Sequence, residues 1–386
     1  MVDAASAPSA PKLPFQPRVL IVPSTCLAHD RTVGGGERYA IEYARALADQ
    51  VPTTHALFDT QSSLTREENL THRTFSLQRR EFRLHFPLTA ASRRALRDFD
   101  ILHLMWFPTP MSDLLLLLAR WRGQKVVLTD VGGLAPCYST YLSQIHPRLA
   151  ITRWAHGLAN LSEYAGTFFA DWKQPQSVLY GGASSKVVGP TEPPAGYALF
   201  VGRLYPHKGI LQIIQAIPKG IPLHVVGRPY DPAYFSELQT AAAGKDVTFI
   251  TDANDEVVRR EYARASVVLQ PSIPTSPGAR DKSELLGLVT LEAMASSKPV
   301  IVTSITSLPE LVRDGETGYI VPPHDLTILG DRIQRLVKDP DLSTRLGAAA
   351  AQHVRVNFTW EKTAKRGLEL YRRVLPNWRP KPLPGN

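Results

Sequence analysis

Cysteine is scarce in this 386-residue chain. Cys26 and Cys137 are the only two, which argues against a disulfide framework and points to a reducing compartment. Long apolar runs are missing too. The five consecutive leucines at 114–118 fall far short of the ~20 residues a membrane span needs and read as part of a buried helix. The first 17 residues are rich in Ala, Pro and Ser and lack the apolar core of a signal peptide, so a cytoplasmic location is expected. No Gly-x-Gly-x-x-Gly follows the first strand expected in either half, which disfavours a nicotinamide oxidoreductase. The eleven histidines show no zinc-type spacing. Helix-turn-helix, zinc-finger and RNP-type patterns are absent, so the net charge of +9 does not read as nucleic-acid binding.

That charge is concentrated. Residues 66–97 hold eight arginines against three glutamates, and residues 360–381 hold seven basic residues against two glutamates. Two readings stay open: a solvated basic surface with a flexible tail, or contact with anionic lipid headgroups at about 1 kcal/mol per basic residue. The second would make the protein peripheral on the inner face of the cell membrane.

With 44% hydrophobic residues, the chain can bury two ordinary domain cores. Apolar, β-branched runs predict strands at 18–22, 101–104 and 126–128 in the first half. Helical spacing of apolar residues predicts a helix over 37–48. From about residue 173 to 196 the chain turns to Pro, Gly and Ser, as an interdomain connection does. Strands at 197–201, 223–226, 247–250, 267–269 and 300–303 then alternate with helical stretches, the pattern of parallel βαβ units. A last helix over 360–374 stops before Pro376.

The most informative stretch is Glu284-Leu-Leu-Gly-Leu-Val-Thr-Leu-Glu292, with two carboxylates separated by seven residues. It joins a loop carboxylate, a helix start opened by Gly287 and a second carboxylate inside that helix. The amides of Gly287, Leu288 and Val289 are expected at the helix N-terminus, where the macrodipole favours a phosphate. A carboxylate accepts two hydrogen bonds at once, which suits the vicinal hydroxyls of a ribose or hexose. Earlier, Gly202-Arg203-Leu-Tyr-Pro-His-Lys208-Gly209 places two cations five residues apart around a loop after a strand. Near the N-terminus, Gly34-Gly35-Gly36-Glu37 precedes a helix and lets the backbone approach a phosphate or sugar.

Together with Val312-Arg-Asp-Gly-Glu-Thr-Gly-Tyr319, these segments resemble, in order, the retaining glycosyltransferases of the large group-1 family, which have the GT-B fold. The resemblance spans roughly residues 18–371. It implies an α/β protein of two Rossmann-like domains facing across a cleft, with the C-terminal helix crossing back to the first. The boundaries expected are a tail at 1–17, an acceptor domain at 18–180, a linker at 181–196, a donor domain at 197–358, the returning helix at 359–375 and a tail at 376–386.

The resemblance further implies transfer of a hexose from a UDP- or GDP-sugar to a hydroxyl of a lipid-linked saccharide, polysaccharide precursor or other acceptor, without a metal or other cofactor. Arg203, Lys208 and the amides of Gly287, Leu288 and Val289 would stabilise the leaving diphosphate. Glu292 would bind the ribose, Glu284 the sugar hydroxyls, and Gly35 and Gly36 would lie against the donor. The leaving phosphate would help deprotonate the acceptor on the same sugar face. Many relatives carry a histidine near the loop after the third strand; here Thr129-Asp130-Val-Gly-Gly133 has none. Asp130 is a candidate to orient a hydroxyl or act as a base, or is a turn-forming residue. His103 reads as a packed strand-end residue.

Asp98-Phe99-Asp100 and Asp339-Pro340-Asp341 spell the aspartate pair of metal-dependent glycosyltransferases but read as structural, since neither follows a strand. A base pocket is expected near Gly227-Arg228 and residues 251–254, without features that separate uracil from guanine. The long loop at 271–283, with Arg280, Asp281 and Lys282, is a candidate selectivity element. The alternatives are a nucleotide-sugar epimerase of the same fold and a catalytically silent sugar-nucleotide or membrane-surface binding subunit. A phosphorylase would need a pyridoxal-phosphate lysine, which the sequence does not identify.

Overall fold

The computed structural model describes residues 14–23, 35–77, 88–105, 110–131, 151–275 and 283–380. Its first half is built on a sheet that begins with β1 (Val19–Val22), whose four apolar residues are all buried. The other strands are β2 (Thr53–Asp59), β3 (Ser63–Glu67), β4 (Leu70–Ser76), β5 (Ile101–Leu104), β6 (Lys125–Thr129), β7 (Gly157–Asn160) and β8 (Gln176–Val178). Their order is β3-β4-β2-β1-β5-β6-β7-β8. β1 lies parallel between β2 and β5, with Val19 opposite both Thr53 and Ile101. At the far edge β3 pairs antiparallel with β4.

The second half carries β9 (Ala198–Val201), β10 (Leu223–Val226), β11 (Val247–Ile250), β12 (Val267–Gln270), β13 (Val300–Thr303) and β14 (Gly318–Val321), in the order β11-β10-β9-β12-β13-β14. Every pairing in it is parallel. Right-handed crossovers put helices on both faces of such a sheet, which is why its strands read as continuous apolar runs. Gly318 opens β14 because a Cβ there would come within 2.2 Å of the Val300 carbonyl oxygen on β13.

The helix Trp360–Val374 is the last in the chain order of the described residues and packs on the first half. Tyr371 bonds through its hydroxyl to His103 Nδ1 at 2.7 Å and to the Tyr43 hydroxyl at 3.0 Å, all three buried. His103 Nε2 continues the chain to Thr129 Oγ1 at 2.7 Å. His103 is therefore a packed strand residue, as its sequence position implies. The segment between the sheets leans on both halves: Ser184 donates to Glu42, and the Glu192 and Ala195 amides donate to the Ala263 and Arg264 carbonyls.

Candidate active site

Of the two cations and two carboxylates in the sequence motifs, Lys208 and Glu284 pair directly, on loops beyond the carboxyl ends of second-sheet strands, where open α/β sheets bind ligands. After β9 the chain makes a short 3-10 turn, Pro206–Lys208, closed by Gly209 in the left-handed conformation (φ 72°). Only glycine fits there, since a Cβ would stand 1.9 Å from the Pro271 carbonyl oxygen just beyond β12. The Ile273 amide bonds to the His207 carbonyl at 2.8 Å and ties the loop after β12 to this turn. Lys208 Nζ forms an ion pair with Glu284 Oε2, both side chains largely buried. Arg203 is exposed, its guanidinium 5.3 Å from the centre of the Tyr205 ring.

Glu284 itself lies in the loop, and its backbone is held from both halves. Ser307 donates to the Glu284 carbonyl at 3.2 Å, and Ser162, from the first half, donates to the Leu285 carbonyl at 2.8 Å. The helix Leu288–Ala295 starts directly after Gly287, the glycine expected to open it, which takes the left-handed conformation (φ 88°) and turns the chain. A Cβ at Gly287 would lie 2.9 Å from Leu308 Cδ2. The Thr290 and Leu291 amides bond to the Gly287 carbonyl, which leaves those of Leu288 and Val289 in the unbonded first turn.

Glu292 faces inward from this helix at 4% exposure. Burial pushes its carboxyl up to about 7, although Arg38 pulls it down. Arg38 belongs to the first-half helix Gly35–Ala48 and donates to Glu292 Oε1 at 3.4 Å and to Asp255 Oδ1 at 2.9 Å. Gly35 and Gly36 form the first turn of that helix, and space is open around Gly35. Neither Arg38 nor Asp255 was expected from the sequence; only their meeting across the two halves reveals them.

Gly227, after β10, approaches so closely that a Cβ would stand 1.7 Å from the Gly202 carbonyl oxygen. Its amide bonds to Ile250, and Arg228 pairs with Leu204, so the expected base-pocket segments adjoin the Arg203 loop. Asp130 is buried at the end of β6. Gly34, Gly132, Gly133, Arg280, Asp281 and Lys282, with Cys26 and Cys137, lie outside the described residues. Asp100 accepts from the Arg18 amide and the Trp378 indole, and Asp339 caps the helix Pro340–Asn357 through the Leu342 amide. Both aspartate pairs thus hold structure together.

The family described as Glycosyl transferases group 1 matches residues 188–353, and Glycosyltransferase Family 4 matches residues 33–162. Together the two matches cover most of the chain, in the order its two sheets occur. The chain belongs to the group 1 glycosyltransferases. Among family relatives, the D-inositol 3-phosphate glycosyltransferase of Corynebacterium efficiens is 30% identical over 185 residues, 45% of this chain and 41% of that protein. Its counterpart in Streptomyces scabiei is 32% identical over 189 residues, 45% and 40% of the two chains. The match thus spans less than half the length of these relatives. The GT-B fold is shared with sucrose-phosphate synthase from Thermosynechococcus elongatus (TM-score 0.69, 22% identity, 94% of this chain and 99% of that one). It is shared also with Anabaena Alr3699/HepE in complex with UDP-glucose (TM-score 0.68, 19% identity, 92% and 99%).

Proposed function

We propose that this protein is a retaining, metal-independent hexosyltransferase that uses a nucleotide-diphosphate sugar. The observation that carries the reading is the Lys208–Glu284 pair set beside the Gly287 helix start, with Glu292 about one turn further along the same helix. A diphosphate against Arg203, Lys208 and the Leu288 and Val289 amides finds cations and N–H donors where charge grows as the glycosidic bond breaks. The bond from sugar C1 to the diphosphate breaks, and the acceptor hydroxyl oxygen joins C1 on the same face. The hydroxyl proton passes to the departing phosphate oxygen. Glu284, held by Lys208, receives sugar hydroxyls, and Glu292 receives the ribose. Asp130 orients the acceptor hydroxyl. The UDP-glucose complex of the HepE relative supports UDP as the base carrier, with GDP the competing choice. Arg203 and Lys208 supply the charge a metal would otherwise supply.

The acceptor we propose is lipid-linked or a polysaccharide precursor, reached at an anionic membrane surface. This rests on the first half, where Trp121 is 77% exposed and Trp154 43% exposed, with the Arg120 guanidinium 5.5 Å from the Trp154 ring. Beside them Arg122 has buried Nε and Nη1 atoms without hydrogen-bond partners among the described residues. Burial, then repulsion from Arg97 and Arg93, pulls its pKa down. Tryptophan and arginine side by side suit a headgroup layer. Among the described residues no helix is long and apolar enough to cross a membrane.

The deciding experiment is calorimetric titration with UDP, GDP and a panel of their sugars in EDTA, then a transfer assay with the donor that binds. Micromolar binding of one nucleotide supports the reading. A changed nucleotide-sugar released without acceptor would mean an epimerase, and no binding would mean a non-enzymatic protein.

A further inference from the structure

Arg38 is the side chain through which the first half touches the carboxylate assigned to the ribose. Its Nη2 donates to Asp255 Oδ1 at 2.9 Å and its Nη1 to Glu292 Oε1 at 3.4 Å, with the Arg38 side chain three-quarters buried. The second Glu292 oxygen accepts from the Tyr262 hydroxyl at 3.5 Å. The charged and titratable groups that face Glu292 are therefore Arg38 from the helix Gly35–Ala48 and Asp255 and Tyr262 from the helix Asp255–Arg264. Burial drives a lone carboxylate toward its neutral form, and a neighbouring guanidinium opposes this. An ionised carboxylate accepts from both vicinal hydroxyls, whereas a protonated one has given up acceptor capacity for a donor.

We propose that Arg38 is a positioning residue of the donor site: it holds Glu292 as an oriented carboxylate able to accept both ribose hydroxyls, and Asp255 holds Arg38. The inference rests on the nucleotide-sugar reading above and deepens it. Because Arg38 springs from the same helix turn as Gly35 and Gly36, the ribose subsite is complete only when the two halves meet. Burial has already raised Glu292 to about 7 with Arg38 in place, so losing Arg38 moves it further up.

The test is titration of the wild type, Arg38→Ala and Arg38→Lys with UDP, GDP and their 2′,3′-dideoxy analogues between about pH 6 and about pH 9. The wild type is expected to prefer the ribonucleotide over its dideoxy analogue by about tenfold or more, a preference that grows as pH rises through about 7. In Arg38→Ala the preference disappears at neutral pH and returns only at higher pH; Arg38→Lys restores most of it. If Arg38→Ala melts below the assay temperature, the neutral and similarly sized Arg38→Gln carries the same expectation. A ribose preference with an unmoved pH midpoint in these variants overturns the proposal. So does an equal loss for ribo- and dideoxynucleotides, the mark of a merely structural tie. Failure of the wild type to bind either nucleotide sinks the donor reading itself, and this inference with it.

Discussion

Glu292 and Lys208 are both charges held out of water, and each depends on a partner from another segment. Glu292→Ala removes the proposed acceptor for the ribose and is expected to weaken nucleotide-sugar binding in a calorimetric titration; unchanged affinity refutes the ribose assignment. Lys208→Ala is expected to lower turnover more than binding, by about 1.5–3 kcal/mol for a charge-assisted bond to the leaving group. Part of any loss comes from Glu284, which would be left without its counter-ion. A kcat loss below that range identifies Lys208 as a brace for Glu284 alone. Gly209→Ala puts a Cβ against the Pro271 carbonyl at a positive φ, and its melting temperature should fall, with a strain cost of about 1–3 kcal/mol. The glycine, lysine and glutamate at these positions were readable from the motif. Arg38 was not, because an arginine in the first turn of an exposed-looking helix carries no mark of a partner 254 residues away.

At the scale of elements, short apolar runs made strands legible: the buried β5, β10 and β13, and β11 half-exposed at the sheet edge, begin and end where the pattern places them. β2, β3 and β4 were not. β3 (Ser63-Leu-Thr-Arg-Glu67) is polar and exposed throughout at the sheet edge, and β2 and β4 interrupt their apolar residues with Thr53-Thr-His55 and Thr71-His-Arg-Thr74, so no continuous apolar run distinguishes them. The same limit hid the aromatic and basic surface. Trp121 closes one helix (Pro110–Trp121) with Arg122 directly after it, Trp154 ends the 3-10 turn Ile151–Trp154, and Arg93 and Arg97 come from segments far earlier. The double change Trp121→Ala and Trp154→Ala should reduce sedimentation with vesicles rich in anionic lipid while leaving nucleotide binding intact. Equal sedimentation of variant and wild type leaves that surface without a lipid role.

For the whole molecule, the last helix acts as a strap across the first sheet. Gly367 in it faces Tyr43 so closely that a Cβ would come within 1.9 Å of the hydroxyl, and Tyr43 in turn joins the Tyr371–His103–Thr129 chain. Gly367→Ala should therefore unseat the strap and destabilise the fold by about 1–3 kcal/mol, read as a lower denaturant midpoint. Burial holds His103 at about 3 and His55 and His156 at about 4, all below the ordinary value of 6.5. As pH falls below about 6.5 the unfolded chain takes up protons these histidines refuse, so stability is lost between there and about 3. Glu292 works in the opposite sense, its contribution being present at low pH and lost as pH rises through about 7. Three histidines against one carboxylate set the net direction, and His103→Gln should flatten the acid limb of a stability curve.

The sequence by itself determined the two-domain α/β architecture, the parallel second sheet and the place of the motif loops. Those depend on local physics: apolar runs with period and length, glycines where only a positive φ will serve, and a glycine-opened helix start. Tertiary structure decided what the motif residues touch. It turned Lys208 toward Glu284, buried Glu292 until its charge needed Arg38, and set the C-terminal helix on His103 and Tyr43. Each of these is a contact between segments distant in sequence, where charge and shape act through space and leave no periodic trace along the chain.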